Sequence, residues 1–103
     1  MAHIAYLALG SNLGDREGYL RAAIALLKEA PGVNLRRSSR VYETEPVGVT
    51  EQPRFLNMVV EVEAEGTPRD LLALAKGIER ELGRKRRERW GPREIDIDVL
   101  IFD

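Results

Sequence analysis

Residues able to do chemistry crowd into one run, Arg89-Trp90-Gly91-Pro92-Arg93-Glu94-Ile95-Asp96-Ile97-Asp98. It sets a cationic loop against two carboxylates spaced i, i+2. In a β-strand that spacing puts both carboxylates on one face, about 7 Å apart along the chain. Paired acids beside clustered arginines are what metal-assisted phosphoryl chemistry requires. The acids hold divalent metal, and the arginines neutralise phosphate oxygens. Taken alone, Asp-Ile-Asp reads equally well as an acid pair on a solvated edge strand beside a basic turn. The Trp-Gly-Pro-Arg directly before it argues against that reading.

The charge distribution points the same way. Net charge is -1, but residues 80–93 hold seven basic side chains against two acids, a net of +5, while the remainder holds nine against fifteen, a net of −6. A general nucleic-acid binder is more often basic throughout. One concentrated patch on an acidic chain implies a compact anion site. The 103 residues, 44% hydrophobic and 32% charged, fit one globular domain spanning 1–103 rather than a disordered chain. Cysteine is absent, which excludes disulfides and thiol chemistry. The first apolar stretch, Ile4 to Leu9, is too short to span a membrane or to serve as a signal, so the expected location is cytoplasmic, with no membrane partner.

The elements that must position these residues can be read in order. Ile4 to Leu9 is apolar on both faces, as a central strand would be. Gly10-Ser11-Asn12-Leu13-Gly14 is a turn. Asp15 then caps a helix whose Leu20, Ala23, Ile24 and Leu27 form a stripe, stopped by Pro31-Gly32. Leu35 to Glu43 reads as a polar edge strand. A loop rich in Gly and Pro runs from Thr44 to Pro53, and a third strand follows from about Phe55 to Glu63. Thr67-Pro68-Arg69-Asp70 opens a second helix with a buried face of Leu71, Leu74, Ala75, Ile78 and Leu82, closed by Gly83. The basic loop comes next. In the last strand, Ile95, Ile97, Val99 and Ile101 point one way and Asp96, Asp98, Leu100 and Phe102 the other.

The order is β-α-β-β-α-β, an α+β ferredoxin-like sandwich. The expectation is a four-stranded, mostly antiparallel sheet with both helices on one face and the acids on the open side. The glycine turn invites a phosphate-loop reading, but it lacks the Gly-Lys-Ser/Thr ending of a P-loop and the spacing of a dinucleotide fingerprint. It reads as a structural tight turn, which leaves the arginine loop to hold any nucleotide. His3, the sole histidine, sits beside the N-terminus and is given no role.

Four segments together resemble the 6-hydroxymethyl-7,8-dihydropterin pyrophosphokinases of folate biosynthesis. They are Gly10-Ser11-Asn12-Leu13; Tyr42-Glu43-Thr44-Glu45-Pro46-Val47-Gly48; Gln52-Pro53-Arg54-Phe55-Leu56-Asn57; and Gly83-Arg84-Lys85-Arg86 through Arg89-Trp90-Gly91-Pro92-Arg93 to Asp96-Ile97-Asp98. The resemblance implies transfer of pyrophosphate from ATP to the pterin hydroxymethyl group, releasing AMP, with two Mg2+ ions. It implies that Asp96 and Asp98 are the magnesium ligands, and that Arg84 and Arg93 assist transfer. Arg86, Arg89 and Trp90 match ATP-contacting positions on a mobile loop. Val99 matches a position whose backbone reads adenine. Glu79 matches a nucleotide-binding glutamate, although alone it reads as a solvated helix residue. Thr44, Pro46, Val47, Phe55 and Asn57 match the pterin pocket, where Phe55 offers an aromatic face and Asn57 a donor–acceptor edge. Without the resemblance, Phe55 is core, Asn57 a polar strand residue and Trp90 a packing anchor.

Such transfers depend mainly on positioning and charge neutralisation, so the lack of a dedicated general base is no obstacle. Members of this family continue well beyond the Asp-Ile-Asp strand, with further ATP contacts, a second aromatic against the pterin and helices on the other sheet face. This chain stops at Asp103, so the C-terminal layer is expected to be missing and catalytic competence is open. The family is monomeric, but an uncovered face bearing Leu100 and Phe102 invites self-association. Two other readings stand: an impaired, truncated ATP/pterin-binding domain, and a ferredoxin-like nucleic-acid module using the arginine loop. The second would want more aromatics on the open face, and its acids would repel phosphate without metal. The primary reading therefore names ATP and pterin as partners, with no nucleic acid.

Overall fold

The structure is a computed structural model and describes residues 2–45, 52–83 and 94–103. Its elements are β1 (His3–Ser11), α1 (Arg16–Glu29), β2 (Val33–Ser38), β3 (Tyr42–Thr44), β4 (Phe55–Ala64), α2 (Pro68–Glu81) and β5 (Asp96–Phe102). The sheet runs β2-β4-β1-β5, with β3 also on β4, and all pairings are antiparallel. The expected α+β plan and the central place of β1 hold. No described helix is long and apolar enough to cross a membrane.

One face of the sheet carries the core. Ala5, Leu7 and Leu9 of β1, Val60 and Val62 of β4 and Ile95 and Ile97 are sealed against Leu20, Ala23 and Leu27 of α1 and Leu71, Ala75 and Ile78 of α2. Sealing a residue such as Leu7 contributes roughly 1.5–3 kcal/mol. Both helices start on caps visible in the sequence. Asp15 accepts from Gly18 N at 3.0 Å. Thr67 and Asp70 form a reciprocal capping box, and donation from the Thr67 N–H holds the Asp70 carboxyl below its ordinary pKa. Gly83 ends α2 at φ +85°, a conformation that strains any side chain.

Three expectations need correction. The single edge strand from Leu35 to Glu43 is two strands, β2 and β3, on the same edge of β4. Between them the Ser39 hydroxyl accepts from Val59 N (2.8 Å), taking the place of a strand carbonyl, while Ser39 N donates to Val59 O (2.8 Å). The glycine turn is shorter than expected, because β1 continues through Gly10 and Ser11.

The alternation of the last strand also breaks. Tyr6 pairs with Ile101 but Leu7 with Val99, so Leu100 is a bulge residue. Beyond it the phase flips. Ile101 turns outward at 58% exposure, and Phe102 packs on the core with its ring centroid 4.9 Å from that of His3. The exposed apolar pair is therefore Leu100 and Ile101, not Leu100 and Phe102.

Candidate active site

Strand register builds the site on the open face. Asp96 pairs with Gly10, Gly10 with Asn57, and Asn57 with Tyr42, so these four residues form one row across β5, β1, β4 and β3. Asp98 pairs with Ala8 one step along. Side chains directly across an antiparallel sheet share a face. Since Leu7, Leu9 and Ile97 face the helices, Asp96, Asp98 and Asn57 face away from them. Asp96 is half-buried and Asp98 exposed. Two strand spacings, about 10 Å, separate the Asp96 and Asn57 backbones.

Gly10 shapes the middle of the row. A Cβ there would lie 2.9 Å from Asn57 Oδ1 and 3.4 Å from Phe55 Cδ1. The amide and the ring therefore lean over β1 into space that a larger residue would fill. Asn57 Nδ2 donates to Thr44 Oγ1, which fixes the amide against β3. Thr44, Phe55 and Asn57 thus come together as a patch with an aromatic face and an amide edge.

Glu79 is not the solvated helix residue it resembles in isolation. It is 3% exposed, and its Oε2 accepts from Ile97 N at 2.7 Å, with Lys76 Nζ 3.4 Å from Oε1. A helix carboxylate therefore satisfies a backbone donor on the outer edge of β5, at the residue between the two aspartates. By strand alternation the Val99 peptide also turns away from β1. Val99 lines a groove of about 790 Å³ with Asp98, Thr67, Pro68, Arg69 and Leu72. Pro46, Val47, Arg84, Arg86, Arg89, Trp90 and Arg93 lie outside the described residues.

Asp96 and Asp98 suit a hard cation. Among the described residues no cluster of three His, Cys or acidic side chains could cage a metal. Two carboxylates fit magnesium, which takes one or two carboxylates and completes its shell from phosphate and water.

Two buried polar residues, Asn12 and Glu61, lie outside the site expected from the sequence. Asn12, 1% exposed, donates from Nδ2 to Gln52 Oε1 (2.7 Å) and Pro53 O (2.9 Å). Its place in Gly-Ser-Asn-Leu was the available signal. With Asp15 capping α1, an acid occupies the helix N-terminus where a phosphate loop would present its anion. Glu61, 7% exposed, collects Tyr6 OH (2.7 Å), Arg37 (2.8 Å) and Arg36 (3.3 Å). A bulge at Arg36 in β2 brings both arginines to it. The Arg37 hydrogen bond, followed by that from Tyr6, lowers the Glu61 pKa, and the same contact with Glu61 raises that of Tyr6. Nothing in the alternating Val-Glu pattern of β4 marks this residue.

The fold and site define a class: a ferredoxin-like α+β domain with an aromatic-amide patch and an acid pair on its open sheet face. Within that class, the chain belongs to the 7,8-dihydro-6-hydroxymethylpterin-pyrophosphokinase (HPPK) family, whose model matches residues 6–103. It is 53% identical over 103 residues to the 2-amino-4-hydroxy-6-hydroxymethyldihydropteridine pyrophosphokinase of Bacillus subtilis (strain 168), covering 100% of this chain and 62% of that protein. It is 48% identical over 99 residues to the protein of the same name from Methylorubrum extorquens, covering 96% and 63%. It is 46% identical over 100 residues to a mitochondrial folate synthesis bifunctional protein of Arabidopsis thaliana, covering 97% and 18%. The chain thus spans somewhat less than two thirds of the length of the first two relatives.

Proposed function

We propose that this chain binds ATP and 6-hydroxymethyl-7,8-dihydropterin and transfers pyrophosphate from one to the other in folate biosynthesis. The observation that carries the reading is the register row. It sets an acid pair and an aromatic-amide patch on one sheet face, about 10 Å apart at the backbone, a span suited to a bicyclic ring and its hydroxymethyl arm. Family membership and the names of the relatives support it.

In this reading Phe55 stacks on the pterin, and Asn57, braced by Thr44, pairs with its hydrogen-bonding edge. Pro46 and Val47 complete that pocket by their match to the family. The hydroxymethyl oxygen is presented toward Asp96 and Asp98. Its new bond forms to the β-phosphorus as the bond to the α,β-bridging oxygen breaks. AMP leaves with that oxygen, and the alcohol proton passes to solvent.

Asp96 and Asp98 would hold two magnesium ions together with the phosphates, and the metal would supply neutralisation of phosphate charge and acidification of the alcohol. Arg84 and Arg93 stabilise charge on the transferred group and on departing AMP. Arg86, Arg89 and Trp90 hold the nucleotide. The Val99 backbone faces adenine from the edge of β5, and Glu79 sets that edge.

Calorimetric titration with an ATP analogue tests the reading. Nucleotide affinity should fall at least about tenfold when EDTA replaces magnesium, a difference of about 1.4 kcal/mol. Pterin should bind more tightly with nucleotide present. Equal nucleotide affinity in both buffers would sink the two-acid site.

A further inference from the structure

The Gly-Ser-Asn run has no task in the reaction as read so far, yet its asparagine is among the most buried polar residues described. We propose that Asn12 is a positioning residue for the pterin patch, a latch that ties the entry of β4 to the end of β1. The inference rests on the reading of that patch as the pterin site.

The orientation of the amide is fixed by chemistry. Pro53 O can only accept, so the Asn12 atom facing it at 2.9 Å is the donor Nδ2. The same nitrogen meets Gln52 Oε1 at 2.7 Å. Gln52 and Pro53 lead directly toward Phe55. From the other side Arg16 of α1 donates to the next carbonyl, Arg54 O, at 2.9 Å. Two consecutive carbonyls are thus held from two different elements just before β4 begins. The chain then has little freedom to shift Phe55, whose ring must lean over Gly10. Removing the buried Asn12 donor from these part-buried acceptors leaves them to find water, and the segment is then free to swing outward. The effect should appear at Phe55 and Asn57 and not at the distant edge of β5.

The test uses two variants of the full chain. Asn12→Asp removes both N–H donors and sets a carboxylate against two acceptors. Asn12→Ser keeps one O–H donor and serves if the first fails to fold. Two quantities are measured: hydrogen exchange at the Phe55–Asn57 amides without ligand, and the affinities for pterin and for a magnesium–ATP analogue. The expected result is faster exchange in both variants, with pterin affinity down about tenfold in Asn12→Asp and less in Asn12→Ser. Nucleotide affinity should stay within about twofold. Unchanged exchange, unchanged pterin affinity, or a proportional fall in both affinities would overturn the positioning role. A wild-type chain that takes no pterin would overturn the reading of the patch and the positioning role with it, whereas faster exchange would still mark Asn12 as a latch of the fold.

Discussion

Glu79 of α2 accepts a hydrogen bond from the backbone N–H of Ile97, the residue between Asp96 and Asp98. The contact fastens the strand that carries both acids to the helix beneath it. β5 pairs only with β1 among the described residues, so its outer edge needs such a partner. Glu79→Ala should leave a buried donor unsatisfied and cost about 1–3 kcal/mol. That is several degrees in Tm for a domain of this size. Glu79→Gln keeps an acceptor oxygen and should lose less. A thermal melt in which alanine and glutamine variants match wild type would remove the fastening role.

Gly10→Ala places a methyl 2.9 Å from Asn57 Oδ1 and 3.4 Å from Phe55 Cδ1. The amide is tied to Thr44 and cannot yield without giving up that bond. Pterin affinity should fall by about tenfold while magnesium–nucleotide affinity holds. Fluorescence titration of both ligands decides it, and a variant binding pterin as wild type does would show that the ring lies elsewhere.

Glu61 predicts a pH dependence of stability. Arg37 and Tyr6 lower its pKa below the ordinary value of 4.5, so its contribution is present above that pH and is lost as pH falls through the folded value. Tyr6 has a raised pKa, so its contribution is complete below the ordinary value of 10.0 and is lost as pH rises through the folded one. Glu61→Gln should flatten the decline in Tm on the acid side below about pH 4.5. An unchanged acid limb would show that the network carries no net stability.

Much of this architecture was legible in the chain, for local reasons. Asp15 and Thr67 announce their helices because caps act over three residues. The acids of β5 face the open side because a two-residue period suffices to place them. The bulge at Leu100 was not legible, because one inserted residue leaves composition and spacing untouched while exchanging Ile101 and Phe102 between faces. The burial of Glu79 and of Asn12 depends on elements far along the chain. A glutamate at a helix position looks solvated until the strand it serves is known. The split of the second strand depends on one hydroxyl, that of Ser39, replacing a backbone acceptor.

Within the arginine-rich run of residues 84–93, chemistry and binding should separate. Arg93→Ala should lower turnover by on the order of 10²-fold or more with little change in nucleotide affinity, while Arg89→Ala should chiefly weaken nucleotide binding. Lysine at position 93 should restore part of the rate, since it keeps charge but loses the two-pronged donor geometry. Wild-type turnover in Arg93→Ala would leave that arginine as a partner of neighbouring acids.

The acid pair bears the central claim, and AMP release measures it most directly. Full chain, ATP and magnesium should yield AMP only when 6-hydroxymethyl-7,8-dihydropterin is added. Asp96→Asn and Asp98→Asn should each cut that rate by on the order of 10²-fold or more while Tm stays near wild type. AMP release that ignores the pterin, or that survives intact in both asparagine variants, would contradict the account.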